Sequence, residues 1–209
     1  MAELRCYVFL DNLQPQYASF LGSVAQGFLP TPGEASLFIE IAPGMDIMRV
    51  TDVALKATNV KPGMLIIERL YGMLEVHSES QADVRAAGEA ILDMLGLKED
   101  DRVKPELASS QVIRNITPFH TQLINRSRHG DMILPGQSLY VMEVAPAGYA
   151  ALAANEAEKA AQINILEVRA FGSFGRVYLG GEERDIDVAY RAAEQAIASV
   201  SGRPARGRE

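Results

Sequence analysis

The chain has 209 residues, 48% of them hydrophobic, which suits one large domain or two of about 100 residues. Its net charge of −7 excludes a general nucleic-acid binder, because that function needs a basic surface. The single cysteine, Cys6, excludes an internal disulfide and is typical of a reducing compartment. No apolar run reaches the roughly 18 residues of a membrane span. We therefore expect an acidic protein of the cell interior that binds neither nucleic acid nor membrane.

Each half of the chain mixes strand and helix patterns. In the first half we predict strands over Leu4–Leu10 and Leu37–Ile41, a helix over Pro15–Val24, and a hairpin within Met64–Val76. A further helix follows Pro43-Gly44 and runs to about Thr58, with Val50, Val53, Ala54 and Ala57 on its buried face. A last helix begins after Ser80, which is placed to cap it with Asp83 three residues on. Its apolar stripe is Val84, Ala87, Ile91 and Leu95, and the second half ends with a similar stripe of Ile186, Ala189, Ala193, Ile197 and Val200. Alternating strands and helices in units of this size predict an α/β (α+β) fold, with helices on a small sheet.

The second half repeats the first at an offset of 103 residues. Matched pairs are Asn12 and Asn115, Pro15 and Pro118, Pro32-Gly33 and Pro135-Gly136, Pro43 and Pro146, Lys56 and Lys159, and Gly72 and Gly175. Near the end Ala86-Ala87 matches Ala192-Ala193, three residues further on, so we expect a longer loop around Gly180-Gly181-Glu182. We predict two tandem domains, residues 1–103 and 104–209, with Lys98–Arg102 as the linker and disorder over Ser201–Glu209, the tail of the second domain.

The hairpin tip carries two neighbouring charges, Glu68 and Arg69, between two apolar strands. One interpretation is an exposed ion pair, which contributes little to stability. The other is that symmetry-related copies of the tip surround a hole that these charges control. Adjacent residues of an extended backbone point to opposite sides, so both side chains cannot enter such a hole together in one extended conformation.

The sequence shows no motif that would support catalysis or metal binding. The three histidines, His77, His120 and His129, lack metal-cluster spacing, and no Walker loop, nucleophile elbow or dinucleotide fingerprint is present. The run Gly172-Ser173-Phe174-Gly175 resembles the G-x-x-G loop of RNA-binding KH domains, but the acidic charge of the chain favours a tight turn. We expect no enzyme, no cofactor and no metal.

Several of these segments resemble bacterial microcompartment (BMC) shell proteins. The helix motif of that family is similar to Val53-Ala54-Leu55-Lys56-Ala57-Thr58-Asn59-Val60 and to Glu156-Ala157-Glu158-Lys159-Ala160-Ala161. The family's pore loop and the strand after it are similar to the turn Phe171–Gly175 and to Arg176–Leu179. The tandem copies resemble the circularly permuted class that forms trimers. The runs Glu68–Gly72, Leu123–Arg126 and Ala153–Ala161 resemble the stacked, gated-pore carboxysome trimers, most of all the β-carboxysome type.

The resemblance implies two ferredoxin-like BMC domains in a homotrimeric pseudohexamer in the carboxysome shell, inside the bacterial cytoplasm. It implies a gated pore built from Glu68, Arg69, Phe171, Gly172 and Ser173, through which small phosphorylated metabolites such as sugar phosphates pass. It also implies that Lys56 and Lys159 lie at the tile edge beside other hexameric and pentameric shell proteins, and that two trimers can stack. A solvated helix face is the alternative for the two lysines.

One alternative function remains open from the sequence. A trimeric cytoplasmic ligand-binding or signalling protein of ferredoxin-like fold would show similar patterns. It would stay a discrete oligomer, whereas a shell tile would form sheets.

Overall fold

A computed structural model describes residues 2–205 of the chain as two domains with the same order of elements. The first contains β1 (Glu3–Leu10), α1 (Pro15–Val24), β2 (Ala35–Ala42), α2 (Ile47–Ala57), β3 (Lys61–Glu68), β4 (Tyr71–Ser78) and α3 (Gln81–Leu95). The second contains β5 (Glu106–Ile113), α4 (Pro118–Ser127), β6 (Ser138–Ala145), α5 (Tyr149–Ala160), β7 (Asn164–Arg169), β8 (Gly175–Gly181) and α6 (Glu183–Ser199). Short 3-10 helices over Gly44–Asp46 and Glu99–Asp101 complete this part of the chain.

Each domain has one four-stranded antiparallel sheet, in the order β1-β2-β4-β3 and β5-β6-β8-β7. The register shifts at equivalent places, between Leu4 and Cys6 and between Leu107 and Ser109. The peptide bonds before Pro43 and Pro146 are both cis. The predicted fold of two tandem α/β domains is confirmed.

Local signals placed several elements correctly. Helix α1 has the predicted bounds, and the Ser80 side chain accepts a hydrogen bond from Asp83 N at 3.2 Å, as a capping residue does. The predicted buried face of α2 is wrong for two residues, because Ala57 is exposed and Val53 is only half-buried. The buried stripe of α2 consists of Ile47, Val50, Thr51 and Ala54, and the chain leaves the helix directly after Ala57.

The extra residues of the second copy lengthen a helix rather than a loop, so the expected longer loop around Gly180-Gly181-Glu182 is wrong. Strand β8 ends at Gly181, and α6 begins at Glu183 with 17 residues, against 15 in α3. Glu183 and Asp185 occupy its first turn, where negative charge is favourable, and this stabilises the added residues as helix.

The C-terminal segment is bound to the linker where the structure describes it. Arg203 N donates to Arg102 O at 2.9 Å, and Lys104 N donates to Arg203 O at 2.8 Å. The predicted disorder is therefore wrong at Arg203, and residues 206–209 lie outside the described residues. The predicted linker contains a 3-10 turn, and its Arg102 also donates to Tyr7 O.

Helix α5 joins the two domains. Its small buried residues Ala150, Ala151, Ala153, Ala154 and Ala157 belong to a core that also includes Tyr17, Phe20 and Phe38 of the first domain. The aromatic rings of Tyr17 and Phe38 stack with centroids 6.3 Å apart. This shared core fixes how the tips of the two domains lie beside each other.

Candidate pore tips and assembly surfaces

The first candidate pore segment is the tip of the β3–β4 hairpin. Glu68 pairs with Tyr71 across the ladder, and Arg69-Leu70 form the turn. Arg69 has φ +54°, so the extended backbone assumed for both charged residues is wrong at Arg69. The side chain of Leu70 is 68% exposed, and neither charge forms an ion pair within residues 2–205. The tip therefore offers free charges to whatever lies against it.

The base of this hairpin is held tightly. A Cβ on Gly72 would overlap the carbonyl oxygen of Gly44, so only glycine allows the two backbones to approach this closely. The Arg5 guanidinium lies over the Tyr71 ring, with Cζ 3.7 Å from its centroid. Its Nε donates to Glu40 at 2.7 Å.

Glu40 connects this base to the second domain. Its second carboxylate oxygen accepts a hydrogen bond from Gly148 N at 3.0 Å, just before α5. Burial raises the pKa of the Glu40 carboxyl, although Arg5 and the backbone N–H groups act to lower it. Sequence reasoning missed Arg5 and Glu40, because their partners lie far along the chain.

The second candidate pore segment lies directly beside the first. Between β7 and β8 the chain forms a loop in which Gly172 has φ +95°, Phe171 is half-buried and Ser173 is exposed. A Cβ on Gly172 would lie 3.6 Å from Cγ of Glu68. The structure thus brings together the tip residues of the two copies, which stand about a hundred positions apart in the sequence.

The two candidate edge lysines occupy equivalent last turns of α2 and α5. Lys56 Nζ lies 2.7 Å from Asp52, which confirms the predicted i,i+4 pair, and both side chains are exposed. Lys159 Nζ lies 3.5 Å from Glu156 and 3.9 Å from Asp11. Both ammonium groups remain accessible to a neighbouring molecule.

Helix α5 caps α1 across the domain boundary. The residue before α1, Gln14, makes no side-chain capping bond. Instead, the Glu158 carboxylate accepts from Gln16 N at 2.7 Å and from Tyr17 N at 2.8 Å, and Asn155 accepts from Gln14 N at 3.0 Å. These bonds satisfy N–H groups that a helix leaves without internal partners. Burial raises the pKa of Glu158, against the lowering effect of the two N–H bonds.

Each domain also carries, on the side away from the other domain, the surface that corresponds to the one its repeat buries in the domain contact. These two surfaces are exposed and apolar. Leu55 stands where α5 has Glu158, and the N-terminus of α4 is capped by its own Thr117. The exposed apolar residues here are Met45 (67% exposed), Met48, Leu55, Leu65, Ile67, Leu107, Phe119 (81%) and Leu123 (64%). Of their counterparts 103 positions away, Ala151, Val168, Ala170 and Phe20 are buried in the core that the two domains share. The chain therefore exposes two faces that match the contact it buries between its own domains.

Metal-binding clusters and membrane-spanning helices are both absent from residues 2–205. No group of three or more His, Cys, Asp or Glu side chains there is arranged to hold a metal ion. No helix in the same span has the length and apolar character needed to cross a membrane.

Comparisons with known proteins identify the family. A family model described as the CsoS1D N-terminal domain matches residues 4–101. The chain is 62% identical over 201 residues to the carboxysome shell protein CcmP of Synechococcus elongatus, covering 96% of this chain and 94% of the relative. It is 51% identical to the carboxysome shell protein CsoS1D of Hydrogenovibrio crunogenus, covering 97% of this chain and 100% of the relative.

Solved structures agree with these relatives. The fused permuted hexameric shell protein MSM0275 from the RMM microcompartment is 50% identical, with a TM-score of 0.93 over 96% of this chain and 99% of that chain. The double-ringed trimeric shell protein MSM0271 from the same microcompartment is 40% identical, with a TM-score of 0.94 over 98% and 100%. The resemblance found in the sequence is confirmed, and the chain belongs to the CcmP and CsoS1D family of tandem-domain, circularly permuted microcompartment shell proteins.

Proposed function

We propose that three copies of this chain close into a pseudohexameric tile of a carboxysome shell, with domains over residues 1–103 and 104–209. The observation that carries this proposal is the match between the exposed faces and the buried domain contact. Head-to-tail contacts of this kind close into a ring when the rotation from one chain to the next divides a full turn evenly. The relatives named as carboxysome shell proteins support the compartment and a structural role without catalysis. Val103, which donates to Arg5 O, supports the domain boundary.

The ring would surround a pore lined by the two tips. Three-fold symmetry gathers three copies of Glu68, Arg69, Phe171, Gly172 and Ser173 around one axis. The support is that Glu68, at the end of β3, and Gly172, in the loop before β8, already lie side by side in one chain. Three guanidinium groups would attract small phosphorylated metabolites, including sugar phosphates, by charge and by bidentate hydrogen bonds.

The pore would open and close by a change at Arg69. A residue with positive φ in a two-residue turn can exchange conformations locally without altering the strands on either side. In one state Arg69 would crowd the axis, and in the other it would turn back toward a glutamate of a neighbouring chain. The Gly44–Gly72 contact and the Arg5–Tyr71 stack support this proposal, because they hold the base of the hairpin while the tip changes.

The gate is tested by replacing both tip charges with alanine. We expect the Glu68→Ala/Arg69→Ala variant to assemble normally but to show only an open pore by cryo-electron microscopy. The control is Glu79→Ala/Lys98→Ala, which removes one exposed charge of each sign away from the hairpin tip and outside the proposed contacts between chains. If the tip variant still populates open and closed pores in wild-type proportions, these residues are not the gate.

We propose that Lys56 and Lys159 contact neighbouring shell proteins at the tile edge. Their support is their equivalent position on two exposed helix ends. Lys56→Glu should abolish sheet formation in negative-stain images while leaving the trimer intact in solution, because it reverses the charge that the tile edge presents to its neighbour. Lys98→Glu, an exposed lysine outside the proposed contacts between chains, is the control, and sheets that form equally well from both variants would contradict the edge role.

We propose that two trimers stack face to face. The double-ringed neighbour supports this, as do exposed apolar residues in the equivalent loops before β2 and β6, namely Phe28, Leu29, Met132 and Leu134. Phe28→Glu/Leu134→Glu should halve the mass measured by light scattering, from six chains to three. A wild-type mass of three chains, or an unchanged mass in the variant, would contradict stacking through these loops.

A discrete cytoplasmic ligand-binding protein is the weaker alternative. The relatives and structural neighbours that cover nearly the whole chain are shell proteins. Co-assembly with hexameric and pentameric shell proteins separates the two functions, since a free sensor would remain outside the shell.

A further inference from the structure

Glu40 connects the bases of the two pore tips inside one chain. Its carboxylate accepts a hydrogen bond from Arg5 Nε at 2.7 Å, and the Arg5 guanidinium lies over the Tyr71 ring at the base of the β3–β4 tip. The other carboxylate oxygen accepts from Gly148 N at 3.0 Å. The carbonyl group directly before Gly148 lies against the base of the β7–β8 tip, because a Cβ on Gly175 would come within 2.2 Å of its oxygen.

Glu143 stands at the equivalent position of the second copy, 103 residues after Glu40. Arg176 Nε donates to Glu143 at 2.7 Å, as Arg5 does to Glu40. The two arginines come from different strands, since Arg176 belongs to β8 and Arg5 to β1. Ala108 occupies the position equivalent to Arg5, so the pairing of Glu143 is not a simple repeat of the first copy. Both copies therefore hold this glutamate with an arginine, although by different routes.

The contact that Glu40 makes to the backbone is left unfilled at Glu143. The Glu143 side chain is 37% exposed, against 1% for Glu40, and its second carboxylate oxygen accepts no hydrogen bond within residues 2–205. The backbone N–H equivalent to that of Gly148 belongs to Met45. Met45 N donates no hydrogen bond in the part of the chain that the structure describes. An acceptor and its matching donor are thus both available.

The turns that carry the two N–H groups differ in exposure. Pro146 and Gly148 are buried, whereas Pro43 and Met45, at the equivalent positions, are exposed. The exposed turn belongs to a surface whose counterpart the chain buries between its own domains. A second copy of the same chain is the partner that such a surface fits, because it brings the missing half of the contact.

We propose that the Glu143 carboxylate of each chain accepts a hydrogen bond from Met45 N of the neighbouring chain, as Glu40 does from Gly148 N within one chain. This inference rests on the proposed trimer, because the site is complete only when a second copy supplies the N–H group. Each chain makes one such bond inside itself and one to its neighbour, so three chains form a closed ring of six carboxylate links.

The bond between chains would connect pore tips of different chains. Gly44, directly before Met45, packs against the base of the β3–β4 tip, because a Cβ on Gly72 would come within 2.3 Å of the Gly44 carbonyl oxygen. Glu143 pairs across the ladder with Arg176, at the base of the β7–β8 tip. The β7–β8 tip of one chain is therefore tied to the β3–β4 tip of the next, and the ring holds all six tips in register.

Subunit exchange between isotope-labelled and unlabelled trimers, followed by native mass spectrometry, tests the acceptor. Glu143→Gln should exchange roughly tenfold faster than the wild type, because a neutral amide oxygen accepts hydrogen bonds more weakly than a carboxylate. Glu79→Gln is the matched control, since Glu79 is exposed and lies outside the proposed contacts between chains. Exchange of Glu143→Gln at the rate of Glu79→Gln would overturn the proposal.

The donor is tested with two substitutions at one position. Met45→Pro removes the N–H group and Met45→Ala keeps it, and proline is tolerated in the first turn of a helix. Adding Glu143→Gln should accelerate exchange roughly tenfold in the Met45→Ala background and little in the Met45→Pro background, because the proline chain has already lost the bond. Equal acceleration in both backgrounds would show that the two groups do not meet, and would overturn the proposal.

Circular dichroism checks that each variant keeps the wild-type fold. If Met45→Pro does not fold, the comparison of Glu143→Gln with Glu79→Gln decides alone. A wild type that forms no trimer would overturn the proposed function together with this inference. A wild-type trimer whose exchange is unaffected by Glu143→Gln would overturn the carboxylate ring and leave the trimer standing.

Discussion

At the scale of single residues, the sharpest constraint is the contact between Gly72 and Gly44 at the hairpin base. We predict that Gly72→Ala destabilises the protein by about 2 kcal/mol or more, because the new methyl group must displace backbone atoms. Gly22→Ala is the control, since a Cβ there meets nothing within 4 Å and helix α1 favours alanine over glycine. Equilibrium denaturation measures both, and equal effects would show that the close approach does not limit the fold.

Sequence patterns reveal side-chain contacts only between residues that lie close together along the chain. The cap at Ser80 and the Asp52–Lys56 pair were predictable, because each joins residues three or four positions apart. The Arg5–Glu40 pair spans 35 positions, and Gly148 lies 108 positions from Glu40. Contacts of that span depend on how the sheets and α5 are placed, which no local pattern encodes.

At the scale of elements, α1 depends on a cap from the other domain. We predict that Glu158→Ala lowers the free energy of unfolding by about 1–3 kcal/mol, because it leaves the N–H groups of Gln16 and Tyr17 without acceptors. Leu55→Ala, at the equivalent position of α2, should change the isolated chain little but weaken association between chains. The reverse pattern, with loss of stability only in Leu55→Ala, would contradict the proposed difference between the two contacts.

Element positions were largely predictable because the two copies repeat one pattern. The Pro15 and Pro118 helices and the strands around Pro43 and Pro146 keep the offset of 103 residues. The exception is the start of α6, where Gly180-Gly181 favours a loop and the acidic residues after it favour the start of a helix. The glycines continue β8 and the acids extend the helix, an outcome that depends on competition between neighbouring segments.

At the scale of the whole molecule, the uncovered faces predict how chains meet. The equivalent of Phe119 in the first copy is Gln16, whose side-chain amide donates to Ile163 O in the second domain. If neighbouring chains meet as the two domains of one chain do, Phe119 would contact the start of β3 in the next chain. We predict that Phe119→Glu converts trimers to monomers by sedimentation while the unfolding of each chain stays cooperative. A variant that remains fully trimeric would show that α4 lies outside the contact.

The fold of each domain could be predicted from the sequence, but the candidate pore could be predicted only in part. Glu68 and Arg69 attract attention as charges at a tip, whereas nothing local shows that Gly172 lies against Glu68. That proximity arises from the shared core around α5, which joins segments a hundred residues apart.

The central claim is that three copies of the chain gather these tips around one axis. A cryo-electron microscopy structure of the purified, assembled protein tests it most directly. The account predicts three chains in a closed ring, with Arg69 and Gly172 of every chain facing the central opening and Phe119 buried between chains. A ring in which these tips lie on the outer rim, or a protein that stays monomeric at assembly concentrations, would contradict it.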